Sequence, residues 1–491
     1  MSLADGKTPV TAPRKAPVAH TTDVTGAAVR FIVGTTPADV PADVTAMAVR
    51  CMVDTTGLYV AGLLEPSARI VMEQARHDGG REEALLLGSG GMKVPVAAAA
   101  RVLALSAHAH DFDDTQVSND PRHVYGLLTH PSTAPLTAAI VLSDRLGDVD
   151  GARFMAAFAT GFEVSCKISE WLKPEHYLRG HHSSGTVATF GAAATAAVLI
   201  GLSEDEVANA LGIAAAMASG IRASFGTMSK PLHVGRAAEN GVTAALLAAR
   251  GFTGDPHALD GRWGFASVLA GGFDEHKTAE GFGNTWSILD PGVSIKPYPS
   301  GILTHQAMDM IRDCVRENDI TPGEVEGIEF FAGSNILNPI RYPVAANGLQ
   351  AKFSMAALIS MLVLFRQAGI AQFADAVVAD DEFQAMQRKI SVTLDPEIEA
   401  MGFDRIRSRA VFHLSGGRTV HAKADERYRG GPLMPLSEAD LEEKFAACTD
   451  PVAPHLTARL LEEVRALPAA TNVGAYLSAL GEVRAPSEPA G

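Results

Sequence analysis

Apolar residues recur at helical spacing through most of the first 250 positions. In the stretch Thr36–Leu64, Val44, Ala48, Cys51, Met52, Thr55 and Leu58 fall on one side, behind Pro and Asp residues that suit a helix start. The same period predicts helices over Arg69–Arg76, Val96–His108, Ser132–Leu146, Gly151–Trp171, Ser183–Leu202, Ser203–Phe225 and Lys230–Arg250. Ser203-Glu204-Asp205-Glu206 reads as a capping box. No alternating segment between Thr36 and Arg250 predicts a strand. The texture changes over Gly251–Gly301, which is rich in Gly, Asp, Trp and Pro. Beyond it, helices over Thr304–Asn318 and Lys352–Ala368 mix with strands over Val325–Gly333 and Ile390–Leu394. Arg409–Leu414 and Arg418–Ala424, around Ser415-Gly416-Gly417, form an expected hairpin. Helices return at Ser437–Ala447 and Pro454–Leu467. The pattern predicts a fold that is mainly α with a smaller α+β domain.

Composition narrows the function class. At 491 residues the chain is too long for one ordinary core, so two or more domains are expected. Hydrophobic content of 47% with 20% charged residues fits a soluble globular protein, and only 6% aromatics favours closely packed helices. A net charge of −15 argues against nucleic acid or an anionic membrane as partner. It also means that an anionic substrate needs a local cationic pocket. Cys51, Cys166, Cys314 and Cys448 lie far apart with no CxxC pair, which points to a reducing cytoplasm rather than a disulfide framework. The first thirty residues carry Lys7, Arg14 and Lys15 without an apolar core segment, and read as a mobile tail. Gly185–Leu202 approaches the length of a membrane span, but its Ala, Gly and Thr content predicts a buried helix.

Four stretches carry candidate chemistry. His108–Ser132, HAHDFDDTQVSNDPRHVYGLLTHPS, contains His108, His110, His123 and His130 with Asp111, Asp113, Asp114 and Asp120. Unpaired carboxylates are costly to bury, and imidazoles titrate near neutrality, so this composition suits acid–base or metal chemistry. HYLRGHHSSGT holds His176, Arg179, His181 and His182; FGTMSKPLHVGRAAENG holds Lys230, His233 and Arg236; SIKPYPSGILTH holds Lys296, Tyr298, Ser300 and His305. Lys230 and Lys296 each precede a proline and have no acidic residue within three positions. They are either available to a substrate carboxylate or solvated on the surface. His108, His123 and His176 read as structural histidines. No HExxH pair occurs, so no metal is expected; GSGGMK lacks nucleotide-loop spacing, and no GxSxG elbow is present.

Taken together, HDFDDTQ…THPS, RGHHSSGTVATFGAAA, GTMSKPLHVGRAAENG, SIKPYPSG and LQAKFS resemble the MmgE/PrpD family. Its members include 2-methylcitrate dehydratase, cis-aconitate decarboxylase and iminodisuccinate epimerase. The resemblance runs from about Val44 to the tail. It implies a large helical domain, an inserted α+β lid domain and a homodimer. The expected divisions are a flexible tail (1–30), a helical domain (31–290), a lid (291–435) and helices that rejoin the first domain (436–491). It also implies a cofactor-independent lyase, a dehydratase or decarboxylase that moves a proton next to a carboxylate of a small di- or tricarboxylate. An epimerase of an iminodisuccinate-like compound, or a non-catalytic carboxylate-binding homologue, is the alternative. The family's site positions fall on Asp111, Thr115, His130, His182, Lys230 and Lys296. The lysines would clamp carboxylates, the two histidines would act as acid and base, and Asp111 would set histidine charge and tautomer. Thr115, His181 and Tyr298 complete the expected substrate contacts. Two features depart from the family pattern: a longer loop between Asp114 and His130, and Ala357 where a Tyr is common. Residues 116–129 are expected to cover the cleft.

Overall fold

The structure, a computed structural model, describes residues 23–117, 128–402, 406–425 and 427–486. His123 and Asp120, and most of the expected covering loop, lie outside the described residues. Two hydrophobic cores organise the chain. The first draws on residues from Val24 to Ile295 and again from Leu436 to Val483. The second is built from Tyr298 to Tyr428, with Val117 added from the first half of the chain.

The helical core is tightly layered. Helix Ser229–Ala248 packs on Val96–His108 and on Ala188–Ile200, which in turn packs on Gly151–Trp171 and Thr133–Leu146. Ala188–Ile200 is apolar all round and nearly all of it is buried, as a helix inside a bundle must be. Its backbone comes close to its neighbour: a Cβ at Gly191 would stand 2.7 Å from the carbonyl oxygen of Gly161. Two helices, Ala42–Leu64 and Ser183–Ile200, are long and apolar enough to cross a membrane, yet 78% and 89% of their apolar windows are buried inside the molecule. Here they serve as core. The tail helix Glu438–Thr449 lies against Ala42–Ala61 and buries Leu441, Phe445 and Cys448, so both ends of the chain share one core.

Helix boundaries follow capping chemistry where they differ from the periodic pattern. The helix Val24–Gly34 lies partly inside the stretch expected to be a tail. Asp23 caps it, and Asp260 accepts from the Val24 amide and the Thr25 hydroxyl. The helix that opens at Glu204 stops at Met217 instead of running to Phe225, because Ala218 turns extended. The helix expected from Lys352 begins at Met355, where Ser354 supplies the cap. A two-residue hairpin, β1 (Ala84–Leu85) with β2 (Lys93–Val94), interrupts the region expected to be strand-free.

The α+β domain holds a four-stranded sheet ordered β4 (Ile390–Leu394), β3 (Val325–Ala332), β5 (Ser408–Leu414), β6 (Arg418–Lys423). β3 runs parallel to β4, with Ile328 opposite Ile390, and antiparallel to β5, with Phe330 opposite Ala410. β5 and β6 make the expected hairpin, Phe412 facing Val420. Val325, Ile328, Phe330 and Ala332 point into the second core alongside helices His305–Glu317 and Met355–Phe365. The two domains meet where residues 109–116 run beside residues 294–296.

Candidate active site

Helix Val96–His108 ends at the first of the candidate motifs, and the chain turns sharply through Asp111, whose φ is 52°. The left-handed region costs most residues roughly 1–2 kcal/mol, with Asp among the better tolerated. Beyond the turn, Thr115 and Ser294 exchange two backbone hydrogen bonds of 2.9 Å, which brings the Lys296 segment alongside. Lys230 reaches in from the first turn of Ser229–Ala248. His130 precedes helix Thr133–Leu146, and its amide donates to the Ser184 hydroxyl of the GHHSS motif at 3.2 Å. Four segments distant in sequence thus converge.

Asp111 is the hub. Its Oδ1 lies 3.0 Å from Lys230 Nζ and 2.8 Å from Lys296 Nζ. All three side chains are buried, so these charges feel little screening by water. Burial pushes the Asp111 carboxyl up, but the two ammonium groups outweigh it and hold it well below the usual carboxylate range. Burial in turn pulls Lys230 below its ordinary value, with Asp111 opposing the fall. Lys230 Nζ also sits 5.5 Å from the ring centres of both Phe225 and Phe353, which stack on each other across the domain boundary.

The histidine tautomers follow from their partners. His108 Nδ1 faces both oxygens of Asp113 at 2.8 and 2.9 Å, while its Nε2 lies 2.9 Å from Lys230 Nζ. The ring therefore donates from Nδ1 and accepts at Nε2. That is the neutral form, in keeping with a pKa that burial pulls down to about 3. His130 Nδ1 is 2.8 Å from the Asp114 carbonyl oxygen and 3.3 Å from an oxygen of Asp113, both acceptors, so Nδ1 carries a proton. His130 Nε2 is left facing the cavity, 4.0 Å from Asp111. His182 Nδ1 meets His233 Nδ1 at 3.0 Å, and burial, then the charge of Lys230, keep His182 well below the usual imidazole range. Gly185 makes room for that pairing, since a Cβ there would come within 2.9 Å of His233 Cβ.

Asp111, Thr115, His130, His182, Lys230 and Lys296 all line one cavity of about 50 Å³. Ile302, Leu303, Ile340 and Phe353 of the α+β domain close it from the other side. The space holds a few waters and lies between the two domains. The structure thus brings together six of the eight residues expected to form the site. His181 is elsewhere, its ring against His176 at 4.9 Å. Tyr298 also lies off the cavity wall: its hydroxyl donates to Asp309 at 2.7 Å and receives Arg312 at 3.0 Å, behind the site. His108, expected to be structural, links Lys230 to Asp113. Its signal was the spacing of His108 and Asp113 across a helix end. His233 stood in a quoted motif without a role.

His108, Asp111, Asp113 and His130 place one ligand-type atom each within 4.8 Å of one another. The positions are already engaged: Asp111 by two ammonium groups, Asp113 by two imidazoles and the Thr133 hydroxyl at 2.9 Å. A cation among them would have to displace Lys230, which touches both His108 and Asp111.

Comparison with known proteins also divides the chain near residues 277–298, though its second unit takes in tail helices that pack on the first core. The chain is 25% identical to cis-aconitate decarboxylase of Homo sapiens over 404 residues, covering 81% of each chain. It is 27% identical to the Mus musculus protein of that name over 373 residues, 73% of each chain, and 29% identical to the Aspergillus terreus one over 233 residues, 45% of this chain and 46% of that one. Residues 27–277 match the MmgE/PrpD N-terminal domain and residues 298–468 the MmgE/PrpD C-terminal domain. The chain belongs to the MmgE/PrpD family.

Proposed function

We propose that this protein is a lyase that acts on a small di- or tricarboxylate by proton transfer next to a carboxylate, with decarboxylation as the reaction. The observation that carries the proposal is the Asp111 bridge between Lys230 and Lys296, with His130 and His182 on the same cavity wall. Family membership and relatives named cis-aconitate decarboxylase support the same reading.

In the proposed reaction the C–C bond to the departing carboxylate breaks and its electron pair spreads through an adjacent C=C–carboxylate unit. The resulting enolate-like charge develops beside Lys230 and Lys296, where a low-dielectric, preorganised pair of ammonium groups stabilises it most. Asp111 opposes the pull of burial on Lys230 and so favours its ammonium form. In its doubly protonated form His130 gives the Nε2 proton to the enolate-like carbon once CO₂ has left and regains a proton from water, while its Nδ1–H stays fixed by Asp114 and Asp113. His182, held neutral by burial, acts as a hydrogen-bonding partner of a substrate carboxylate.

Proton NMR in D₂O with a panel of unsaturated di- and tricarboxylates tests the proposal. The expected result is loss of CO₂ from one acid, with one deuterium in the product. Loss of water, or deuterium wash-in with inversion and no change of mass otherwise, would replace decarboxylation with dehydration or epimerisation. Saturation of shifts without turnover across the panel would make the protein a carboxylate binder.

A further inference from the structure

We propose that Lys352 and Lys444 are positioning residues that, with Lys296, form a three-point clamp on the backbone turn carrying Asp111. The inference rests on the reading of Asp111 as the residue that holds the two substrate-facing lysines. The carbonyls of the turn after helix Val96–His108 lie beyond the helix's own hydrogen-bond ladder. Three ammonium groups satisfy three of them. Lys352 Nζ donates to the carbonyl oxygen of Ala109 at 3.2 Å, Lys296 Nζ to that of Asp111 at 2.9 Å, and Lys444 Nζ to that of Phe112 at 2.9 Å.

The three lysines come from separate parts of the chain: the entry to the α+β domain, its LQAKFS motif, and the tail helix Glu438–Thr449. They are 0%, 2% and 8% exposed for Lys296, Lys352 and Lys444. A buried ammonium needs an opposite charge, and each has one. Lys296 pairs with Asp111 at 2.8 Å, Lys352 with Glu65 at 3.3 Å, and Lys444 with Asp54 at 2.5 Å. An ammonium has three N–H bonds, so each lysine can neutralise its carboxylate and still hold the turn. Glu65 is braced in turn by His110 Nδ1 at 3.1 Å, and His110 Nε2 by the carbonyl oxygen of Ala61 at 2.9 Å.

Lys352 and Lys444 do not line the catalytic cavity. Their action on chemistry passes through the left-handed turn at Asp111, and from there through its carboxylate to Lys230 and Lys296. Because Lys352 belongs to the α+β domain, docking of that domain sets the geometry of Asp111 as well as closing the cavity.

The test uses the full chain with two paired variants, Lys352→Met with Glu65→Gln and Lys444→Met with Asp54→Asn, so that no carboxylate is left buried and alone. Hydrogen exchange of the peptide 109–117 is the first readout, because it needs no substrate. It should speed up about tenfold or more in both variants, with helix Ser229–Ala248 unchanged. kcat/KM on the acid that the wild type turns over should fall about tenfold to a hundredfold, the effect of displaced catalytic groups. Lys352→Arg, which keeps charge and donors, should retain both properties within about threefold of the wild type. If a paired variant fails to fold, Lys352→Gln and Lys444→Gln carry the same two readouts. Wild-type exchange at 109–117 overturns the clamp, and so does a loosened turn with undiminished kcat/KM. A wild-type protein that turns over no carboxylate would sink the proposed reaction instead, while the exchange measurement still decides the clamp.

Discussion

Two buried charged clusters lie side by side in the helical domain, and adjacent residues lead into them. Thr115 faces the cluster around Asp111, while Gln116 reaches the other way and donates to Glu170 at 2.5 Å. In the first cluster two ammonium groups share one carboxylate beside an open cavity. In the second, Lys167 serves Glu170 at 3.4 Å and Glu280 at 3.3 Å, and Glu163 lies buried nearby. The carboxylates at the two centres respond in opposite directions. Asp111 is driven well down, whereas burial pushes Glu163 up to about 7 with Lys167 opposing. Two ammonium groups at a cavity wall can meet an anion. A buried carboxylate short of cations takes up a proton instead.

Exchanging charges should separate the two. Lys230→Met and Lys296→Met, read by steady-state kinetics on the acid found by NMR, should each lower kcat/KM by about 10²–10³-fold, the size of effect expected when a preorganised electrostatic group is lost. Wild-type activity in both variants would remove the first cluster from catalysis.

Glu163→Gln should leave kcat/KM unchanged and alter stability instead. Between the usual glutamate value of 4.5 and about 7 the folded state binds more protons at this site than the unfolded state does. Wild-type stability therefore loses up to about 1.4 kcal/mol per pH unit there as pH rises. The glutamine variant lacks that loss, so its stability relative to the wild type should rise from pH 5 to 7 in urea titrations. The Gly283 and Ser287 amides, which donate to Glu163 at 3.1 and 2.8 Å, contribute an offset that does not vary with pH. A difference that is flat with pH would mean the carboxyl is ionised throughout.

The smallest effect is expected from Tyr298→Phe. Loss of its hydroxyl contacts to Asp309 and Arg312 should cost about 1 kcal/mol in unfolding free energy. KM should stay near the wild-type value. A large rise in KM would return Tyr298 to the substrate.

The contrast between the clusters also explains what could be read in the sequence. Helix Val96–His108 has the bounds its periodicity predicts, because an apolar face against Ser229–Ala248 fixes it. Lys230 and Lys296 stood out for their proline neighbours and lack of local acids; their partner, Asp111, lies 119 and 185 positions away in the chain. Tyr298 shares a motif with Lys296 but not its place. Past Pro297 its side chain turns toward helix His305–Glu317 and finds Asp309 and Arg312. Lys444 gave no signal at all: nothing in an ordinary tail helix marks one lysine as reaching a turn 332 positions away. Lys352 was visible as part of LQAKFS, but its role lies in the tertiary contact with Ala109. Periodicity encodes elements and cores; the pairing of distant charges is set only by packing.

The most direct measurement is calorimetric titration with a saturated tricarboxylate, tricarballylate, which lacks the double bond that decarboxylation uses. Wild type and Glu163→Gln should bind it with the same affinity, while Lys230→Met and Lys296→Met should bind about tenfold more weakly or worse, the loss of one charge-assisted contact. Equal affinity in all four proteins, or weakening only in Glu163→Gln, would show that the Asp111 cluster does not receive the anion.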